Sequence, residues 1–241
     1  MPTPPTSPPP AAPSPLASPV PAPAGTLAED EPLPPGVVAG LVLAGGEGRR
    51  MGGLDKGLLL HHGIPLALHA ARRLEEQVGR VVISANRHLE DYRRFGYPVV
   101  QDAQPGFNGP LAGILAALDT LATSDAPPQF LVVVPCDTPN FPADLAACLH
   151  RTLTGSGAAL ALAEAGGRQH YACALLRTNL AADLVAYLAG GGRSIRGWHE
   201  RFATAVVPFP DPDAFANLNT AEALERVAEA TKAQETRSMG E

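Results

Sequence analysis

The 241-residue chain is poor in cysteine and in aromatic residues, with 3 of the former and 5% of the latter. Cys136, Cys148 and Cys173 fall at spacings that form neither a CxxC pair nor a zinc ligand set, which sets aside a disulfide scaffold and a structural zinc. Core thiols of a reducing compartment are the ordinary alternative, and a segment with the composition of a secretory signal is lacking, so a cytoplasmic location is expected. Long apolar runs are missing too. The longest, over 37–46 and 158–165, are about half of the roughly 18 residues that span a bilayer, so no membrane partner is expected. Positive charge is scarce: the formal net charge is −6, and beyond residue 36 it is −3, from 18 basic and 21 acidic residues. That balance argues against a partner with many backbone phosphates, DNA or RNA, while leaving cations enough for one small anion.

Proline is plentiful but uneven, with fourteen of the 26 lying before Gly36 among Ala, Ser and Thr. Residues 1–36 lack backbone donors for a ladder and apolar bulk for a core, and are expected to form a disordered tail. From residue 37 onward, short β-branched runs alternate with amphipathic stretches, the rhythm of strand and crossover helix. Strands are expected over 37–43, 80–84, 98–100 and 130–134, and with weaker patterning over 158–163 and 172–176. Helices are expected over Leu66–Val78, 110–121 and 143–153, where apolar residues recur at intervals of three and four. Strands apolar on both faces require helices on both sides. The fold class expected is therefore α/β, a doubly wound, mostly parallel sheet whose ligands bind beyond the carboxyl ends of the strands.

Chemistry is accordingly expected after Leu43, after Ser84, around Asp102 and after Val134. The loop from Leu43 to Lys56 holds five glycines together with Arg49, Arg50 and Lys56. Its glycines let backbone N–H groups approach an anion, and cations at separated positions suit a triphosphate; a tight structural connection is the alternative. No GxxxxGK[ST] can be read there, and Met51 stands where GxGxxG needs its last glycine after Gly46 and Gly48. Asp137 follows the strand end Val134-Pro135, so its carboxylate is placed to hold magnesium together with phosphates, or else to cap the next turn. Asn86, just past another strand end, offers a donor and an acceptor to a purine edge, or a cap to the helix that follows. Gly109-Pro110 opens a helix whose N-terminus favours phosphate, with close packing as the alternative.

Together these segments resemble a known family. Leu43-Ala44-Gly45-Gly46, Arg50-Met51-Gly52-Gly53 and Asp55-Lys56-Gly57-Leu58 look like the signature of the molybdenum cofactor guanylyltransferases. Ile83-Ser84-Ala85-Asn86-Arg87, Asp102, Gly109-Pro110-Leu111-Ala112-Gly113, Pro135-Cys136-Asp137-Thr138-Pro139 and Asn217-Leu218-Asn219-Thr220 follow in the family's order, over about residues 37–227. The resemblance implies a Rossmann-like sheet of the nucleotide-diphospho-sugar transferase type over 37–230, followed by a flexible C-terminus at 231–241. It implies transfer of GMP from GTP to molybdopterin with release of pyrophosphate, and magnesium, or manganese in its place, as cofactor. Catalysis is implied for Lys56, Arg50 and Asp137, the last as metal ligand. Substrate contacts are implied for Leu43, Ala44, Gly45, Gly46, Lys56, Asn86, Asp102, Gly109 and Asp137, although Asp102 also reads as a turn former. His170 and Arg193 are implied on the pterin side. Here the chain departs from the family, with Tyr171 where proline often stands, and a solvated histidine and a helix-start arginine are the alternatives. Asn217 and its neighbours are expected to be structural. Rival readings are a cytidylyltransferase for the same pterin, a sugar-phosphate nucleotidyltransferase, and a non-catalytic nucleotide-sensing adaptor. A monomer is expected, with molybdoenzymes or their chaperones receiving the product.

Overall fold

The computed structural model describes residues 33–45, 55–102 and 109–218. Several expectations lie outside those residues: the segment 1–32, Gly46 and Arg50 with the rest of 46–54, and everything from Asn219 onward, including 231–241.

The first strand, β1 (Val38–Leu43), turns Val38 and Val42 to one face and Ala39 and Leu41 to the other, all of them buried. A 3-10 turn at Lys56–Leu58 and a two-residue hairpin, β2 (Leu60–His61) with β3 (Ile64–Pro65), lead into α1 (Leu66–Val78). This helix stops at Gly79, whose φ of +73° makes the left-handed cap that glycine adopts without strain. Then come β4 (Val81–Ser84), α2 (Leu89–Arg93), β5 (Val99–Val100), α3 (Pro110–Ala122), β6 (Phe130–Pro135), α4 (Leu145–Ser156), β7 (Leu160–Ala165), β8 (Arg168–Arg177), α5 (Ala181–Ala189), α6 (Ile195–His199) and β9 (Thr204–Phe209).

The main sheet has the order β5-β4-β1-β6-β8-β7-β9, and every strand in it but β8 runs the same way. Helices α1 and α4 cover one face through Ala67, Ala70, Leu74, Leu145 and Leu149; α3, α5 and α6 cover the other through Leu111, Ile114, Leu118, Leu184 and Trp198. Each such fully buried large side chain contributes roughly 1.5–3 kcal/mol. Close seating of α1 depends on Gly40, where a Cβ would come within 2.5 Å of the Leu74 side chain. Because the chain winds outward from β1 through β4 to β5 and then returns to place β6 on the other side, a crevice opens between β1 and β6. Leu43 pairs with both Ser84 and Pro135, and Ser84 with Val100, so four strands end together at that crevice.

The expected sheet, and the helix Leu66–Val78 to the residue, are thus present. Helix α4 starts and ends later than expected, β8 is longer, α2 and α6 are the helices anticipated only as those that Asn86 would cap and Arg193 would start, and β2, β3, α5 and β9 had no sequence expectation. The body also begins earlier than residue 37: Leu33 packs against the core cluster, and Val37 N–H donates to Pro34 O. Among the described residues no helix is long and apolar enough to cross a membrane.

Candidate active site

Lys56 owes its position to a short-range device in the sequence. Asp55 caps the 3-10 turn, its Oδ1 accepting from Gly57 N–H at 3.1 Å. From this turn the Lys56 side chain reaches Asp137, with Nζ 3.1 Å from Oδ2. The two side chains keep 27% and 16% of their exposure, so the pair is worth no more than about 1 kcal/mol and is readily exchanged for a stronger partner. Asp137 sits just past β6 because Cys136 N–H extends the ladder to Leu43 O. Its backbone carbonyl accepts from Leu218 N–H at 2.9 Å, and neighbouring Thr138 donates its hydroxyl to Asn217 Oδ1 at 2.7 Å. Asn217 therefore has the structural role expected of it, and Asp137 aims its carboxylate at a cation.

On the other side of β1, Asn86 and Asp102 hold each other. Asn86 Nδ2 donates to Asp102 Oδ2 at 2.8 Å, and Asn86 Oδ1 accepts from Asp102 N–H at 3.0 Å. The helix cap considered for Asn86 belongs instead to His88. Asp102 Oδ1 is buried with no hydrogen-bond partner among the described residues. Burial raises this carboxyl above the usual range, with the Asn86 hydrogen bond pulling the other way. An orphaned acceptor beside an amide is a ready contact for a ligand's N–H groups. Gly45 borders the same place, since a Cβ there would lie 3.4 Å from Asn86 Nδ2, and Leu43 and Ala44 supply the backbone leading to it. Gly109 stands at the start of α3 with φ +118°, ahead of Pro110 at the first helical position.

The remaining candidates are placed differently. His170 faces Ala163 where the register of β7 and β8 shifts, and its ring lies 4.8 Å from that of Phe215. Its Nε2 is buried with no hydrogen-bond partner among the described residues, and burial, aided by Arg168, lowers its pKa, so the ring is partly withdrawn from solvent. Arg193 donates to Leu188 O at 2.8 Å and to Gly192 O at 2.6 Å, closing the end of α5, while Ser194 caps α6. Nearby, Tyr171 donates to Gln169 Oε1 and carries the Arg196 guanidinium 5.7 Å above its ring. Of the cysteines, Cys136 and Cys173 are buried as expected, and Cys148 is half-buried, contacting Asp144 and Arg151. One residue that sequence reasoning missed is Tyr92, whose hydroxyl donates to Asp55 Oδ1 at 2.6 Å. It lies 37 positions from its partner in a segment otherwise rich in arginine, and no local signal marks it.

The donor chemistry fits a divalent ion in a particular way. Among the described residues no three His, Cys, Asp or Glu side chains converge as a metal cage. Asp137 is a hard oxygen donor, shielded and already opposite a cation, which is what an ion shared with substrate phosphates requires.

Residues 40–202 match the MobA-like NTP transferase domain. A protein of Ralstonia pickettii strain 12J named Molybdenum cofactor guanylyltransferase is 46% identical over 202 residues, covering 80% of this chain and 96% of that one. The crystal structure of Molybdopterin-guanine dinucleotide biosynthesis protein A from Archaeoglobus fulgidus is similar with a TM-score of 0.61 at 21% identity, over 81% of this chain and 99% of that one. A 4-diphosphocytidyl-2C-methyl-D-erythritol synthase from Anaerococcus prevotii gives 0.59 at 10% identity, over 81% and 96%. At these identities the two structures establish the fold, that of the nucleotide-diphospho-sugar transferases.

Proposed function

The chain belongs to the MobA-like NTP transferase family, and from that premise we propose that it transfers GMP from GTP to molybdopterin, releasing pyrophosphate and forming the guanine dinucleotide cofactor. The observation that carries the proposal is the Lys56–Asp137 pair at the β1/β6 crevice, with Asn86 and Asp102 across the end of β1. The first pair suits a metal-bound triphosphate and the second the edge of a purine.

A phosphate monoester has its second pKa near 6, so the terminal phosphate of molybdopterin is largely ionised at neutral pH and needs no general base. Its oxygen forms a bond to the α-phosphorus of GTP while the bond from that phosphorus to the β-phosphate bridging oxygen breaks, and pyrophosphate takes the electron pair. The obstacle is bringing two anions together, so positioning and charge neutralisation must supply the catalysis. Lys56 exchanges Asp137 for the phosphates of GTP and holds them in line. Asp137, together with the phosphates, would hold a divalent ion, magnesium or manganese, which would supply Lewis acidity and charge neutralisation there. Arg50, from the same glycine-rich loop, adds a second cation, Gly45 and Gly46 add backbone N–H donors, and Leu43 and Ala44, with the Ala44 N–H already donating to Ser84 O, line the nucleotide. Asn86 and Asp102 read guanine, the start of α3 at Gly109 faces phosphate, and His170 and Arg193 belong to the pterin side. The same reading has the enzyme act as a cytoplasmic monomer, with no nucleic acid or membrane partner, handing its product to molybdoenzymes or their chaperones.

Pyrophosphate release, measured with molybdopterin, magnesium and either GTP or CTP, tests this. Release with GTP and little with CTP is expected. A preference for CTP would make the chain a cytidylyltransferase, and GTP binding without release would make it a sensor.

A further inference from the structure

Tyr92 is fully buried in the core layer shared by α1 and α4, its ring edge-on to Phe95 at 5.7 Å. A buried tyrosine hydroxyl needs a partner, and this one uses the same Asp55 oxygen that caps the turn carrying Lys56. Burial and the Asp55 carboxylate push ionisation of the hydroxyl far above the usual range, so it is a permanent donor. The fit is close. A Cβ on Gly57 would come within 2.3 Å of the hydroxyl and 3.2 Å of Ala44 Cβ, so the glycine after Lys56 is dictated by Tyr92 passing over it. Lysine is a flexible four-carbon stem, so its ammonium goes where the backbone beneath it is fixed.

We propose that Tyr92 is a positioning residue for Lys56: its hydroxyl, through Asp55, locks the Lys56–Leu58 turn so that the ammonium is delivered to the phosphates of the nucleotide. The inference rests on the nucleotidyl-transfer reading of that site and extends it to α2, an element with no contact to substrate assigned. Tyr92→Phe keeps the buried ring and removes only the donor. A packing role predicts little change; a positioning role predicts a loss that exists only while Lys56 is present.

The test is a cycle of the full chain, Tyr92→Phe, Lys56→Ala and the double variant, followed by pyrophosphate release. Misplacement of a catalytic group costs up to about 10²-fold, so Tyr92→Phe should lower kcat by about 10–100-fold with the KM for GTP changed less than about threefold. In the Lys56→Ala background the same change should cost less than about twofold. A wild-type kcat for Tyr92→Phe, or an equal loss with and without Lys56, overturns the proposal. Amide exchange of the ligand-free proteins decides the same point whatever nucleotide the enzyme uses: exchange at Gly57 and Leu59 should quicken by about tenfold or more in Tyr92→Phe, and unchanged protection overturns it. Should Tyr92→Phe not fold, Asp55→Ala removes the other half of the contact and should reproduce both effects. A wild-type chain that releases no pyrophosphate with GTP defeats the functional reading alone, because the exchange comparison still stands.

Discussion

Around β1, β4 and β6 the polar side chains at the carboxyl edge hold one another: Lys56 with Asp137, Asp102 with Asn86, Asp55 with Tyr92. Across β8, α5 and α6 only some do, as Asp183 accepting from Trp198 and Arg201. His170 Nε2 and both ring nitrogens of His199 are buried with no hydrogen-bond partner among the described residues, and the Arg193 guanidinium donates to backbone carbonyls. On the proposed function the first region is arranged in advance for a charged ligand, so little reorganisation is needed when charge develops during reaction. The second carries polar groups at a cost of about 1–3 kcal/mol each, offset by an apolar layer built on Trp198, Leu184 and Leu188. Substitutions in the first region should therefore act chiefly on turnover, and those in the second chiefly on stability, with any kinetic effect of the second confined to use of the pterin.

The largest effect should come from Lys56→Ala. Loss of a donor to developing charge costs about 2.7–4 kcal/mol in comparable cases, so turnover should fall by about 10²–10³. Its thermal midpoint should barely move, because the Asp137 pair is partly exposed. A large loss of stability with normal turnover would invert the comparison.

His199 should show the opposite behaviour. Burial lowers its pKa to about 3, against about 6.5 for the unfolded chain. Its contribution to stability is complete above pH 6.5; below that the unfolded chain takes up a proton that the folded one refuses, so stability falls by about 1.4 kcal/mol per pH unit down to pH 3. In urea titrations across that range His199→Leu should have a flatter acid limb than the wild type, and parallel limbs would contradict the assignment. Arg193→Ala should have the smallest effect. Loss of its contacts to the end of α5 should cost about 0.5–1.5 kcal/mol by thermal denaturation, with turnover on GTP changed less than about tenfold. A larger kinetic effect would move Arg193 into the reacting centre.

The same division governs what could be read from the residue order. Strands β1, β4 and β6 are runs of Val, Ile and Leu buried on both faces, and α1 repeats its small and apolar side chains at helical spacing, so both kinds of element announce themselves. The proposed site residues Lys56, Asn86, Asp102 and Asp137 stand just after strand ends or in the turn that follows, where a doubly wound sheet puts its ligands. Strand β9 gave no such signal: it contains Pro208, which an edge strand tolerates because one side of it faces no neighbour. In β8 the register shift beside Ala163 breaks the alternation that marks a strand. The Asp55–Tyr92 contact was hidden for another reason. It joins a turn to a five-residue helix, α2, with no periodicity of its own, and depends on where the fold brings that helix.

The central claim is that the nucleotide lies across the end of β1, between the two polar pairs. Crystals grown with GTP and magnesium test it directly. The account predicts triphosphate density between Lys56 Nζ and Asp137, with the salt bridge between them broken, and guanine against Asn86 and Asp102. Nucleotide bound along β8 and α6, with the Lys56–Asp137 bridge intact, would contradict it.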